Sequence, residues 1–309
     1  MSDDNGKIGL LLTMPRSGTW YNNMFFWFYL QVLMGKTELE LHPNGLLHYK
    51  FSEKFRSILG FKELLICHNH CPGFDHYSGE YRQLWDELNH YVEGFNIGDR
   101  LMKIGETKDY DPVLNRNARI AYVYRNPLDQ AVSFFGHIQN HKDARHRYYV
   151  DSDGEQHLIK DVRQYILNVG LESYIKQFFT FKVMKQMCPH SLLMIKYETL
   201  TANPARSFAA ILYHFGHDIS NPSNQQKIGL ALALSSKDSI KKIEKTLGHS
   251  LVGDQTDPNE SHVRGGEIGK WKKHLNNDDL QEIQQRLMRF GLSLADFDIE
   301  YESAEQAVS

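Results

Sequence analysis

The sequence has few cysteines and no excess of charge of either sign, and both shortages exclude classes of protein. Its cysteines are Cys67, Cys71 and Cys188, which form neither an even set nor a C-x-x-C pair, so a disulfide framework is not expected. The 35 basic and 38 acidic residues give a net charge of -3. Such a chain has no general attraction for nucleic acid or anionic membranes. Any anion-binding site must therefore be local.

Long hydrophobic runs are lacking as well. The polar residues 1–7 precede an apolar run at 8–12 that is too short for a signal peptide or a membrane span, so we expect a cytoplasmic protein. With 309 residues, 41% of them hydrophobic, the chain can form one substantial core. The expected organisation is a single domain over 1–309 with disordered ends at 1–6 and 302–309 and insertions at about 74–99 and 136–157.

The most informative stretch is an apolar run that leads through P-R-S-G-T into an aromatic segment. The pattern predicts a buried strand at 8–12, a tight turn at 15–18 and a helix from 19 to about 34. Such a junction collects free backbone N–H groups and the positive end of a helix at one point, where an anionic group binds. The polar side chains at this point are Arg16, Ser17 and Thr19.

This turn is not an ordinary nucleotide P-loop. The spacing G-x-x-x-x-G-K-[ST] is absent, because both the first glycine and the lysine are missing. The sequence therefore argues against a kinase or ATPase. No acidic strand end of the Walker type stands out, so no metal is expected. A plain strand-to-helix turn is the alternative interpretation.

A second strand-to-helix junction begins at Arg125. Pro127 lies in the first turn of the predicted helix, where its missing N–H is harmless, and Asp129 lies near the positive helix end. Since a helix rises about 1.5 Å per residue, Ser133 lies only one to two turns into it. Arg125 and Ser133 can therefore contact the same phosphate.

Two histidines, His68 and His70, follow a short apolar run that predicts another strand. In extended backbone they point to the same side. Because histidine titrates nearest neutrality, one interpretation is a catalytic base. A second is two polar residues at a strand end. A third is a zinc site with Cys67, Cys71 and His76, although this spacing matches no structural zinc pattern.

Four segments in order resemble the soluble sulfotransferase family, whose sulfuryl donor is 3′-phosphoadenosine 5′-phosphosulfate (PAPS). P-R-S-G-T resembles its 5′-phosphosulfate loop, and the segment from Arg125 to Ser133 resembles its 3′-phosphate motif. Y-E-T-L at 197–200 is similar to a Y-E-D-L segment whose tyrosine lies beside the adenine. R-G-G-E-I-G-K-W-K at 264–272 is similar to the C-terminal R-K-G-x-x-G-D-W-K element.

The resemblance implies an α/β fold, with a central parallel sheet flanked by helices on both faces, and ligands at the carboxyl ends of the strands. This is the P-loop-like sulfotransferase fold. It also implies sulfuryl transfer from PAPS to a hydroxyl or amine of a small-molecule acceptor, natural products included, with adenosine 3′,5′-bisphosphate (PAP) as product. The implied nucleotide-binding residues are Arg16, Ser17, Gly18, Thr19, Trp20, Tyr21, Arg125, Ser133, Tyr197, Ser235, Arg264, Gly265 and Gly266.

The resemblance implies more than one candidate for the catalytic base. N-H-C-P at 69–72 overlays a T-H-x-P motif, which nominates His70 as the base and places His68 where a lysine would contact the sulfuryl oxygens. Glu106 is a rival base, since G-E-T-K resembles a segment of carbohydrate sulfotransferases. Arg16 replaces the usual lysine and is expected to act as an electrostatic clamp, because a guanidinium does not readily give up its proton. Ser133 is implied to restrain that clamp.

Departures from the family leave several points open. Trp20 occupies the position of a loop threonine, so either Trp20 or Tyr21 stacks on the adenine. Gly265 replaces a lysine, which removes one phosphate contact. The dimer segment of the family is not recognisable, so the oligomeric state is open. The sequence does not identify the acceptor. The alternatives are a catalytically inactive nucleotide-binding protein of the same fold, a carbohydrate-type enzyme that uses Glu106, and an unusual P-loop kinase.

Elsewhere the apolar spacing predicts secondary structure only. A strand is expected at 192–200 and helices at 158–187, 205–215, 224–234, 240–247 and 280–290.

Overall fold

The computed structural model describes residues 7–36, 38–39, 49–50, 61–68, 83, 116–140, 148–150, 153–247 and 267–300. The strands are β1 (Lys7–Thr13), β2 (Tyr49–Lys50), β3 (Phe61–His68), β4 (Ala118–Tyr124), β5 (Tyr148–Val150), β6 (Gln156–Leu158) and β7 (Leu192–Lys196). The helices are α1 (Thr19–Leu33), α2 (Pro127–Asn140), α3 (Val162–Tyr165), α4 (Leu171–Met187), α5 (Tyr197–Ala202), α6 (Pro204–His214), α7 (Pro222–Leu234), α8 (Lys237–Leu247) and α9 (Asn277–Met288). A π-helical segment, Ile166–Gly170, joins α3 to α4, and short 3-10 helices occupy Lys270–Lys273 and Leu294–Phe297.

A parallel sheet forms the centre of the molecule. Its strand order is β2-β3-β1-β4-β7, and β2 alone among these strands runs antiparallel to its neighbour. The central strand β1 is buried along almost its whole length. A strand covered on both faces must be apolar nearly throughout, which explains the run Leu10–Leu12. The predicted strand at 8–12 is confirmed.

Helices cover both faces of the sheet. Neighbouring side chains of a strand point to opposite sides, so the apolar run of β1 places apolar side chains on both faces. Leu10 and Leu12 pack into one core with residues of α2, α4 and α9. Leu11 packs into the other core with residues of α1, α6 and α7. The predicted α/β architecture is confirmed.

Aromatic stacking ties each helical layer to its core. Phe25 of α1 stacks on Phe208 of α6 with ring centroids 3.7 Å apart. On the opposite face, Tyr122 of β4 stacks on Phe181 of α4, also at 3.7 Å. Each such pair adds about 0.5–1.5 kcal/mol beyond the burial of its surface. The extreme apolar character of α1 therefore reflects enclosure in the core.

Two predicted elements, the strand at 192–200 and the helix from 158, have other bounds in the structure. The strand expected at 192–200 ends at Lys196, which pairs with Tyr124, the last residue of β4. Beyond that pair β4 offers no hydrogen-bonding partner, and the chain turns into α5. The range 136–157 contains the end of α2, which continues to Asn140, and most of the antiparallel ribbon β5–β6, and the status of this range as an insertion stays a prediction. The helix expected from 158 begins at Val162.

The remaining predicted helices agree with α6, α7, α8 and α9 to within a few residues. The expected disordered ends lie outside the described residues, and so does the insertion at 74–99 apart from residue 83.

Candidate functional site

The loop between β1 and α1 closes tightly at the carboxyl edge of the sheet. Gly18, the N-cap of α1, has φ +83°, and Arg16 has φ +66°. The Ser17 N–H donates to the carbonyl oxygen of Met14 at 3.0 Å, and the Met14 N–H donates to that of Val123 at 2.8 Å. The left-handed region is uncommon for a residue with a side chain and occurs often at functional sites. The loop is thus a strained turn tied to β4.

Side chains of the second junction hold this loop directly. The Arg16 Nε donates to Ser133 Oγ at 3.2 Å. The Arg125 Nη1 donates to the Arg16 carbonyl oxygen at 3.5 Å, and the Gln130 Nε2 donates to the Pro15 carbonyl oxygen at 3.1 Å. The two junctions, far apart in sequence, therefore form one cluster, in which Arg16, Ser133 and Arg125 are neighbours.

Arg125 is a buried cation, with only 5% of its surface exposed. A buried charge requires a counter-charge or hydrogen bonds. The Glu198 Oε1 lies 3.9 Å from Arg125 Nε and accepts the Asn126 backbone N–H at 3.1 Å. The guanidinium also lies 5.1 Å from the ring centroid of Tyr197. Tyr197 was predicted from the sequence as a site residue, but Glu198 was not. The position of Glu198 next to Tyr197 in the same segment is the signal that could have identified it.

Tyr197 packs directly over the loop glycine. A Cβ built on Gly18 would lie 2.7 Å from Tyr197 Cε2. Burial raises the pKa of Tyr197 against the opposing effect of Arg125, and burial, followed by the proximity of Tyr197, raises the pKa of Tyr21 to about 12. Both Tyr21 and Trp20 are half-buried against the core on this face of the sheet. The choice between these two rings for adenine stacking stays open.

Two buried donors at this site have no hydrogen-bond partner within the described part of the chain. They are the Ser17 hydroxyl and the Arg125 Nε, of which only the latter has a counter-charge, the Glu198 Oε1 at 3.9 Å. Leaving a buried polar group unpaired is costly, so such atoms indicate a place for a ligand. A hydroxyl and a cationic N–H both suit an anion. The hydroxyls of Thr13 and Thr19 bond to each other at 2.5 Å.

A C-terminal segment, Glu267 to Trp271, joins the same cluster. The Gly269 N–H donates to Asp129 Oδ2 at 2.6 Å, and the Trp271 N–H donates to Asp129 Oδ1 at 3.4 Å. The Arg125 Nη2 donates to the Glu267 carbonyl oxygen at 3.0 Å. Sequence reasoning placed Asp129 only at the positive end of α2 and could not foresee this long-range contact.

Other predicted site residues lie apart from these contacts or outside the described residues. Ser235 caps the end of α7, is buried, and donates its hydroxyl to the Leu232 carbonyl oxygen at 3.4 Å. The backbone of His68 ends β3 and pairs with Thr13, which places it at the same sheet edge as the loop. Five predicted site residues lie outside the described part of the chain, namely His70, Glu106, Arg264, Gly265 and Gly266. Cys71 and His76, which belong to the zinc alternative, lie outside it as well.

The described residues contain no group of three or more His, Cys, Asp or Glu side chains arranged to hold a metal ion. Among their helices, none combines the length and the apolar character needed to cross a bilayer.

Comparison with known families matches residues 9–290 to the sulfotransferase domain. Cytosolic sulfotransferase 16 of Arabidopsis thaliana is 20% identical over 168 residues, covering 53% of this chain and 48% of that protein. A flavonol sulfotransferase-like protein of Flaveria bidentis is 22% identical over 178 residues, covering 57% and 55%. The chain thus spans about half the length of these curated relatives.

Two solved structures align with most of this chain at low sequence identity. Mouse sulfotransferase SULT7A1 complexed with PAP has a TM-score of 0.49 at 16% identity, covering 93% of this chain and 84% of that one. Retinol dehydratase in complex with androsterone and inactive cofactor PAP has a TM-score of 0.48 at 15% identity, covering 95% and 82%. Since the family match extends over nearly the whole sequence, the chain belongs to the sulfotransferase family.

Proposed function

We propose that this protein transfers the sulfuryl group of PAPS to a hydroxyl or amine of a small-molecule acceptor, releasing PAP. The single observation that carries the proposal is the joining of Arg16 and Arg125 in one hydrogen-bonded cluster, where Arg125 Nη1 lies 3.5 Å from the Arg16 carbonyl oxygen. Two cations from separate strand ends suit a ligand with two anionic groups. The buried Ser17 hydroxyl, which has no hydrogen-bond partner among the described residues, also supports an anionic ligand at this point.

The proposed chemistry assigns distinct tasks to the two cations. A bound donor supplies the sulfuryl group and the phosphate that leaves. Charge grows on the leaving phosphate, so a cation held beside it lowers the barrier more than it stabilises the ground state. Arg16 takes this role, and its hydrogen bond to Ser133 at 3.2 Å supports a restraint on the guanidinium. Arg125 takes the 3′-phosphate.

Nucleotide selectivity tests the proposal. Isothermal titration of the full chain with PAP, adenosine 5′-monophosphate (AMP), and ATP with and without Mg²⁺ is expected to give tight, metal-independent binding of PAP. Arg125→Ala is expected to weaken PAP binding about 100-fold, since it removes a buried, charge-assisted contact. Tight binding of ATP with Mg²⁺ would instead favour the P-loop kinase alternative.

A matched control lies on the same strand. Arg119 sits near the amino end of β4, and its Nη1 donates to the carbonyl oxygens of Arg116 and Ala118 at 2.8 and 2.9 Å. Arg119→Ala is expected to keep the wild-type affinity for PAP. If it weakens binding as much as Arg125→Ala does, the assignment of Arg125 fails.

The base is proposed in the order His70, His68, Glu106. The pairing of His68 with Thr13 supports placing this histidine segment beside the loop. The test is kcat of His70→Ala, His68→Ala and Glu106→Ala at saturating PAPS, with an acceptor found by screening compounds against labelled PAPS. Near-normal kcat in His70→Ala would remove the first candidate.

Two further proposals complete the assignment. We propose a cytoplasmic location and a small acceptor, including natural products, and the acceptor screen tests the latter. If PAP binds but the screen finds no turnover, the inactive nucleotide-binding alternative replaces the enzyme.

A further inference from the structure

Asp129 lies in the first turn of α2 but does not cap that helix. The Asn126 Oδ1 performs the capping, since it accepts the N–H groups of Leu128 and Asp129 at 2.9 and 3.2 Å. The Asp129 side chain is left for another task although only 2% of the residue is exposed. Its two oxygens accept the N–H groups of Gly269 and Trp271, at 2.6 and 3.4 Å.

The docked segment is short and well anchored. Trp271 is buried in the core, and the Lys272 N–H donates back to the Gly269 carbonyl oxygen at 3.2 Å. Glu267 stands only two residues before Gly269, so docking of Gly269 restricts the positions that the Glu267 carbonyl can take. That carbonyl accepts the Arg125 Nη2 at 3.0 Å.

Two backbone carbonyls thus orient one guanidinium. Arg125 donates through Nη1 to Arg16 and through Nη2 to Glu267. A guanidinium is a rigid planar fork with five N–H donors, so two such contacts define its plane. Its Nε makes no hydrogen bond to the described residues but faces the Glu198 Oε1 at 3.9 Å, so this ion pair also restrains the guanidinium.

We propose that Asp129 is a positioning residue for nucleotide selectivity. By docking Gly269 and Trp271 it places the Glu267 carbonyl against Arg125, and so holds the guanidinium in the orientation that receives a 3′-phosphate. The inference rests on the proposed function, because it assigns that phosphate to Arg125.

Docking of the segment from Glu267 to Trp271 and binding of the 3′-phosphate are expected to be coupled. If docking of the segment strengthens binding of the 3′-phosphate, then the 3′-phosphate must strengthen docking by the same factor. PAP, but not AMP, is therefore expected to slow hydrogen exchange of the Gly269 and Trp271 amides in the wild-type protein.

Asp129→Asn is the direct test. The amide keeps the size of the side chain and one acceptor, but its NH₂ group faces an N–H donor. We expect the Kd for AMP to stay within about twofold, while the ratio of the Kd for AMP to the Kd for PAP falls about tenfold. A tenfold change corresponds to the loss of one charge-assisted hydrogen bond. The control is Asp161→Asn, since Asp161 likewise accepts a backbone N–H, from Gln164 at 2.8 Å, at the start of α3. It is expected to leave the ratio unchanged.

The outcomes separate the two claims. A wild-type protein that does not distinguish PAP from AMP overturns the proposed function, and the inference with it. A wild-type protein that distinguishes them while Asp129→Asn has the same ratio, or loses affinity for both equally, overturns the inference alone. If Asp129→Asn does not fold, the exchange experiment decides, and equal protection of the two amides by PAP and AMP refutes the inference.

Discussion

Replacing Gly18 with alanine tests the packing of the loop against Tyr197. Gly18 has φ +83°, and an added Cβ would lie 2.7 Å from Tyr197 Cε2 and 2.9 Å from Cδ2. The left-handed backbone costs an alanine about 1–2 kcal/mol. Displacing a packed ring costs about 1–3 kcal/mol more. Gly18→Ala is therefore expected to lower the free energy of unfolding by about 2–5 kcal/mol.

Gly35 provides the matched control. It has φ +68°, but among the described residues, its chain neighbours aside, an added Cβ there would have no atom within 4 Å. Gly35→Ala is therefore expected to cost only the backbone contribution, about 1–2 kcal/mol. Urea denaturation followed by tryptophan fluorescence measures both variants, and the difference between them isolates the contact with the ring.

A double variant identifies the ring. In a Tyr197→Ala background the added methyl group meets no ring, so Gly18→Ala is expected to cost the same as Gly35→Ala. The reasoning is refuted if Gly18→Ala in the otherwise wild-type chain is no more costly than Gly35→Ala, or if its cost is the same with and without Tyr197.

Three further predictions concern stability. Burial lowers the pKa of His214, whose Nε2 lies 3.0 Å from the Ile120 carbonyl oxygen. The contribution of neutral His214 to the free energy of unfolding is present above the unfolded-state pKa of about 6.5, and it is lost as the pH falls through the folded-state pKa. His214→Gln is therefore expected to reduce the fall in Tm on acidification. Burial is the largest single influence and raises the pKa of Asp279, but the hydrogen bonds from Arg163 and the Asn276 backbone and the charge of Arg163 together outweigh it, so the net pKa is lowered. Asp279 therefore stabilises the fold above about pH 3.9, and Asp279→Asn is expected to lower Tm at neutral pH and flatten the acid limb of a Tm–pH profile. Phe208 is fully buried and stacks on Phe25, so Phe208→Ala is expected to cost about 3–5 kcal/mol in urea denaturation, and a loss below about 1 kcal/mol would contradict that packing.

Local patterns were sufficient to predict the two strand-to-helix junctions. The apolar run of β1, the glycine before α1 and Pro127 at the start of α2 each act through neighbouring residues. The extent of β7 could not be predicted in this way. Its end is set by the end of β4, the strand with which it pairs.

The same distinction holds for the candidate site. Arg16, Arg125 and Ser133 were predicted as anion-binding residues from their positions beside helix starts. Glu198 and the carboxylate contacts of Asp129 were not predicted as part of the site, because their partners lie in other segments of the chain. A hydrogen bond between distant segments leaves no periodicity in the sequence.

By itself, then, the sequence determined the elements, the α/β class and the residue types available to bind an anion, since these follow from local hydrophobic spacing and backbone preference. Only the tertiary structure decided which of these residues meet. The parallel pairing of β1 with β4 brings Arg16 and Arg125 to one edge of the sheet. Burial of the guanidinium then required Glu198 and the backbone carbonyls around it, because a charge removed from water needs partners wherever the fold supplies them.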